Sequence, residues 1–121
     1  MARLRGIWGV AWETEFLEGG TKALVRLEGV VDSTNVEEFF ALINSIFKQG
    51  VKRVVLDMEN TSYLSSGGLS VIVDAHKKAE REGGKLVIAR ASEMVADLLK
   101  VVQIEKIIPS FPTLEEALKA L

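Results

Sequence analysis

Apolar positions along the chain change their spacing several times, and each change marks an element. From Leu4 to Trp12, Leu4, Trp8, Val10 and Trp12 share one parity while Arg5, Ile7 and Glu13 share the other, the two-residue repeat of a strand. Glu18-Gly19-Gly20 is a turn signal. Thr21 to Glu28 then alternates again, with Ala23, Val25 and Leu27 opposed to Lys22, Arg26 and Glu28, and with Leu24 out of phase. Two such runs across a Gly-Gly turn predict an antiparallel hairpin. Gly29 to Thr34 breaks the second run.

Helical spacing follows. Thr34 and Glu37 have the separation of a capping box, and Val36, Phe39, Phe40, Ile43, Ile46 and Phe47 fall on one helical face up to Gly50. Val51 to Asp57 is short, β-branched and almost continuously apolar, as a strand covered by helices would be. Met58 to Leu64 reads as a loop. A second helix opens near Ser65 and runs to about Glu82, with Leu69, Ile72, Val73, His76 and Ala79 on its apolar side. Gly83-Gly84 ends it, and Lys85 to Ala89 is another buried-strand pattern. Ser92 caps a third helix carrying Met94, Val95, Leu98, Leu99 and Val102. Ile104 to Ile108 reads as a last short strand and Pro109 and Pro112 bracket a turn. Thr113 with Glu116 caps a closing helix that buries Leu114, Ala117, Leu118 and Leu121. The order ββαβαβαβα predicts an α/β fold: a mixed sheet with parallel pairing between the later strands and helices mainly on one face. The face carrying Trp8 and Trp12 is expected to be partly open.

Length adds one constraint: 121 residues suit one domain spanning the whole chain. Fifteen basic against seventeen acidic side chains, net charge -2, argue against a nucleic-acid partner, and no Lys/Arg run is longer than a pair such as Lys77-Lys78. With no cysteine there is no disulfide or thiolate chemistry, which fits a cytoplasmic protein. No apolar run reaches the roughly 18 residues a membrane span needs, so no direct insertion is expected. Gly6 to Trp12 is too short, and too soon followed by Glu13, to be the core of a signal peptide.

The candidate chemistry lies in Tyr63-Leu64-Ser65-Ser66-Gly67-Gly68-Leu69-Ser70-Val71-Ile72-Val73. Two hydroxyls and two glycines stand where a strand-exit segment becomes a helix N-terminus, with its unpaired N–H groups and positive dipole end. Such a place caps a helix, holds an anion, or carries a hydroxyl that becomes phosphorylated. Phosphate-loop and dinucleotide glycine motifs are absent, and a single histidine without cysteines gives no transition-metal set, so no cofactor is expected. Ser66, His76 and Asp57 do not make a triad, because Ser66 and His76 lie about 15 Å apart along one helix. His76 reads as a half-buried structural residue. Asp57 and Glu59 are close in sequence at a strand end but are expected to face opposite ways, which leaves them a weak pair of catalytic carboxylates. The chain does not read as an enzyme.

The element order and this stretch resemble the STAS domain, and within it the bacterial anti-sigma-factor antagonists. The likeness runs from Trp12 to Leu121. It includes the Gly29-Val30-Val31-Asp32 strand exit, the central strand Val54-Val55-Leu56-Asp57, and Tyr63 to Val73, where the family shows an aromatic, an apolar residue, then Asp-Ser-Ser/Thr-Gly-Leu-Gly. Carried over by position, the family's phosphorylated serine falls on Ser66, its neighbouring Ser/Thr on Gly67, its glycine on Gly68 and its leucine on Leu69. Ser65 replaces the usual aspartate and Ser70 the second glycine, which makes Ser65 an alternative acceptor. The resemblance implies a domain that, unphosphorylated, binds an anti-sigma factor that is also a serine kinase and binds ATP itself, with a phosphatase to reverse the mark. The docking face would comprise Asp32, Ser33, Thr34, Ser65, Ser66, Gly67, Gly68 and Leu69. The family also implies an alternative, a cytoplasmic accessory subunit of a lipid or anion transport system, and the departures at Ser65 and Gly67 keep open another, a non-phosphorylated scaffold or ligand sensor.

Overall fold

The computed structural model of the chain describes residues 2–5 and 11–121. Strands are β1 (Ala2–Arg5), β2 (Ala11–Leu17), β3 (Lys22–Val31), β4 (Arg53–Asp57), β5 (Thr61–Leu64), β6 (Lys85–Ala89) and β7 (Ser110–Phe111). Helices are α1 (Val36–Lys48), α2 (Ser66–Arg81), α3 (Glu93–Val101) and α4 (Leu114–Ala120). The sheet runs β1-β2-β3-β4-β6-β7, with β5 paired to β3 outside that path. The β1–β2 and β2–β3 pairs are antiparallel; β3–β4, β4–β6 and β6–β7 are parallel. This is the mixed α/β architecture expected.

The alternation on β3 explains itself in two apolar layers. Ala23, Val25 and Leu27 join Val54, Leu56, Leu86 and Ile88 beneath α1, α2 and α3, in one core that also holds Trp12. Leu24, the out-of-phase residue, lies on the opposite face with Val55, Val87 and Ala117, where α4 covers the sheet. Three helices therefore pack on one face and one on the other. Within α1, Phe39, Leu42, Ile43, Ile46 and Phe47 are buried at helical spacing. A fully buried side chain of this kind contributes about 1.5–3 kcal/mol of transfer free energy.

Several expectations are corrected. The single strand predicted over Leu4 to Trp12 is two elements, with Ala2 opposite Thr14 and Arg5 opposite Ala11, so the chain reverses between them. Trp8 lies outside the described residues. Trp12 is 2% exposed and tilts against Phe39 at 5.8 Å between ring centroids, so it offers no open face. The second run does not end at Gly29; β3 continues to Val31 through a positive-φ Gly29 and a register shift at Gly29/Val30. Met58 to Leu64 is not all loop, since Thr61–Leu64 forms β5. Phe40 leaves the apolar face of α1 and is 52% exposed, with Leu42 buried in its stead. Val102 is likewise exposed. Ile104 to Ile108 is a 3-10 turn, not a strand: Gln103 adopts φ 60 and the Ile107 and Ile108 N–H groups both donate to Ile104 O. The strand at that edge is Ser110–Phe111, between the two prolines, beside Ile88 and Ala89.

Candidate functional site

Two chain segments leave the sheet side by side. β4 pairs with Lys22 to Arg26 of β3; β5 then takes over along the same edge and pairs with Gly29 to Val31. Leu64 stands opposite Val31, and the Ser65 N–H donates to Val31 O at 2.8 Å. The residues that follow, Asp32 on one strand and Ser65 on the other, are thereby brought to one end of the sheet. Thr61 anchors β5 from beneath, its hydroxyl donating to Leu27 O at 2.7 Å. On the other side the Ser92 hydroxyl donates to Thr61 O at 2.7 Å, which ties β5 to the start of α3.

The Asp32 turn is built by its own side chains. The Thr34 N–H donates to Asp32 Oδ1 at 2.9 Å, and the Thr34 hydroxyl donates to the same oxygen. Both bonds favour the charged carboxylate and hold Asp32 below the ordinary carboxyl value of 3.8, the hydroxyl bond contributing most. This overturns the capping box expected at Thr34. Its side chain is committed to Asp32, and the helix starts one residue later with Asn35 as N-cap and no side-chain cap. Asn35 was not singled out by sequence. It is 3% exposed, accepts from the Asp32 N–H at 3.0 Å and donates from Nδ2 to Val30 O at 2.8 Å, so it fixes the strand exit. The spacing Asp-x-x-Asn was its only signal.

At the second exit the two serines have different jobs. Ser65 is the N-cap of α2, its Oγ accepting from the Gly68 N–H at 3.1 Å. That bond satisfies one of the free N–H groups of the first turn. Ser66 is the first helical residue, is exposed, and its hydroxyl has no protein partner among the described residues. Gly68 is buried because Leu64 and Val31 press against it: a Cβ there would lie 2.7 Å from Leu64 Cδ1 and 2.9 Å from Val31 Cγ1. At Gly67 a Cβ would meet only ordinary contacts at 3.7 Å, with Ser65 Oγ and Val36 Cγ2. The first turns of α1 and α2 thus lie side by side. Asp32, Ser33, Thr34, Ser65, Ser66 and Gly67 share this end. Gly68 lies beneath it and Leu69 packs partly into the core.

The other polar candidates are engaged elsewhere. Asp57 is 4% exposed and receives Arg90 Nη2 at 2.5 Å, with Arg26 Nε 3.5 Å from the same oxygen. Arg90 also reaches Glu59 at 2.6 Å, so the two carboxylates do not face opposite ways but meet on one guanidinium, as residues two apart along an extended segment can. The hydrogen bond to Asp57 is the main cause that raises Arg90 above its ordinary value. His76 is buried rather than half-buried, with Nε2 2.9 Å from Glu80. Neither Asp57 nor His76 addresses Ser66. No group of three or more candidate ligands gathers for a metal among the described residues, and no helix there is long and apolar enough to cross a membrane.

This geometry can be set beside known proteins. The sequence pattern described as the STAS domain matches residues 12–117. The chain belongs to the STAS family. Among its relatives, a protein of Bordetella bronchiseptica, named provisionally as the anti-sigma factor antagonist BtrV, is 32% identical over 94 residues, covering 78% of this chain and 81% of that protein. An anti-sigma factor antagonist from Mycobacterium paratuberculosis superposes with a TM-score of 0.83 at 20% identity, covering 97% of both chains. The anti-sigma factor antagonist SpoIIAA in its unphosphorylated form gives 0.78 at 22% identity over 91% of this chain and 95% of that one. Its phosphorylated form, from Bacillus, gives 0.72 at 22% identity, covering 91% and 98%. At these identities the structural likeness concerns the fold.

Proposed function

We propose that this STAS domain is an anti-sigma-factor antagonist switched by phosphorylation of Ser66. The observation that carries the reading is the division of labour between adjacent serines. Ser65 is spent on capping α2, while Ser66 presents a free, exposed hydroxyl one residue further on. An acceptor must be reachable and must not be needed to hold the helix start. The relative named as an anti-sigma factor antagonist supports the role, and the resemblance of Tyr63 to Val73 to the family pattern supports Ser66 as the acceptor.

The unphosphorylated end, Asp32 to Thr34 with Ser65 to Gly67, would dock an anti-sigma factor that is also a serine kinase, so that its sigma factor is released. In the transfer, Ser66 Oγ bonds to the γ-phosphorus of the partner's ATP, the bond to the β–γ bridging oxygen breaks, and ADP leaves. The hydroxyl proton passes to a base on the partner. The product gains about -1.5 to -2 charges at a helix N-terminus, where a phosphate is tolerated without refolding. It joins an Asp32 carboxylate already held in its charged form. Repulsion at the docking face then weakens the complex. A phosphatase restores the hydroxyl by transferring the phosphoryl group to water.

Intact-mass spectrometry after incubation with ATP and the organism's anti-sigma-factor kinase tests this. One added phosphate, lost in Ser66→Ala, is expected. Phosphate retained in that variant would move the site to Ser65, and none in the unaltered chain would overturn the switch.

A further inference from the structure

One concave surface on the helical layer is not used by the Ser66 site. Between α1 and α2 runs a groove of about 330 Å³ whose apolar part comes from Phe40, Ile43, Phe47 and Val71. Phe40 is 52% exposed at its wall, an unusual position for a large aromatic in a chain that buries Phe39 and Phe47 beside it. Lys77, Lys78 and Arg81 also line it, against the single carboxylate of Asp74. None of these three cations lies within ion-pair distance of a carboxylate among the described residues, and the Lys78 ammonium sits 5.4 Å above the Phe47 ring instead. A basic rim over an apolar floor, on a chain of net charge -2, is a local reversal of sign.

Two parallel helices with a trough between them offer the ridges into which a third helix packs. From Val71 to Arg81 the trough is about 15 Å long, about three helical turns. Phe40 and Val71 at its near end lie four residues beyond Val36 and Gly67, which stand side by side at the Ser66 end of the same two helices. We infer that this groove seats an acidic amphipathic helix of the anti-sigma factor, its apolar side against Phe40 and Val71 and its carboxylates against Lys77, Lys78 and Arg81. The inference rests on the partner reading above and extends it. The interface has a second arm that the Ser66 phosphate does not touch, so phosphorylation weakens the complex without abolishing contact.

The test compares binding of the organism's anti-sigma-factor kinase to the unaltered chain and to the Lys77→Glu/Lys78→Glu/Arg81→Glu variant. The expected result is a tenfold or greater loss of affinity, with phosphorylation of Ser66 unchanged at saturating kinase. Unchanged affinity would overturn the groove while leaving the Ser66 switch standing. If the kinase does not bind the unaltered chain, the partner reading fails, and a defined probe decides the groove alone. Amide NMR is recorded with a 20-residue Leu/Glu helical peptide and with its Leu/Lys counterpart. Shifts at Phe40, Val71 and Lys78 from the acidic peptide alone support the groove, and no shift at millimolar peptide overturns it. Phe40→Ser, which removes an exposed side chain and leaves the charges in place, should weaken the same interaction.

Discussion

The two glycines that open α2 are predicted to respond to the same substitution with opposite sign. Gly68→Ala puts a methyl group 2.7 Å from Leu64 Cδ1 and 2.9 Å from Val31 Cγ1, both side chains being at most 3% exposed. Ordinary contact needs at least half an ångström more on each side. Leu64 can turn its terminal methyl, but Val31 is stiff at χ1, so the strand ends must separate. Overpacking of this kind costs about 1–3 kcal/mol, while replacing helical glycine by alanine returns up to about 1 kcal/mol. A net loss of about 1–2 kcal/mol follows. At Gly67 the new methyl group meets nothing closer than 3.7 Å and the backbone is not in the left-handed region, so only the helix gain remains, a few tenths to about 1 kcal/mol. Urea unfolding followed by circular dichroism reads both variants against the unaltered chain. Gly68→Ala as stable as the parent, or Gly67→Ala less stable, would refute the claim that these contacts rank the two positions.

Other outcomes follow from the same contacts. Gly84→Ala would drive a Cβ to 1.9 Å from the Lys52 carbonyl oxygen, a backbone atom that cannot step aside, so the soluble yield should collapse or the urea midpoint fall far below that of Gly68→Ala. Arg90→Ala strips the buried Asp57 of its closest cation. Breaking a buried pair costs about 3–5 kcal/mol, and with Arg90 34% exposed and Arg26 still 3.5 Å away a loss of about 2–3 kcal/mol is expected by urea unfolding. Asp32 titrates in the folded chain below its ordinary value of 3.8, so the turn's stabilisation is complete above that value and is lost as pH falls through the folded midpoint. Carboxyl-carbon NMR should show this low midpoint, and Thr34→Ala, which removes the largest cause, should move it back toward 3.8. Ser65→Ala removes the cap of α2 and should cost about 1 kcal/mol. Ser65→Asp keeps a capping oxygen and restores the family carboxylate, so its stability should match or exceed the parent's in the same urea assay.

Legibility in the sequence tracked how many residues carried a signal. β4 and β6 are runs of Val, Leu and Ile covered on both faces, and such runs identify themselves. The caps at Ser92 and Thr113 were readable because their side chains do what isolated helix starts require. The same logic failed at Thr34, where a neighbouring carboxylate outcompetes the helix for the hydroxyl. β5 escaped because four residues with Thr61 and Leu64 inward and Ser62 and Tyr63 outward follow no two-residue alternation. Its pairing depends on the register shift in β3, a long-range fact with no local trace. Arg90 carried no signal either; its φ of 51 and its hold on Asp57 appear only once β4 and β6 are adjacent.

The missed strand is what makes the candidate site more than a helix start. Had Met58 to Leu64 been a loop, the Ser65-Ser66 turn would be tied to the domain only through α2, and its distance from Asp32 would be loosely set. With β5 in place, the Ser65 N–H is bonded to Val31 O, and Asp32 is the very next residue on that chain. Asn35 holds the other side of the same exit through the Asp32 N–H and Val30 O. Both hydroxyl-bearing turns are therefore referred to one short stretch, Val30 to Asp32. A charge added at Ser66 arrives at a surface whose backbone cannot readily yield. A rigid surface transmits that charge to a docked partner as repulsion, where a mobile loop would swing it into solvent. This is why unchanged backbone amide shifts beyond the neighbours of Ser66, on going from serine to phosphoserine, are the expected signature of the proposed switch.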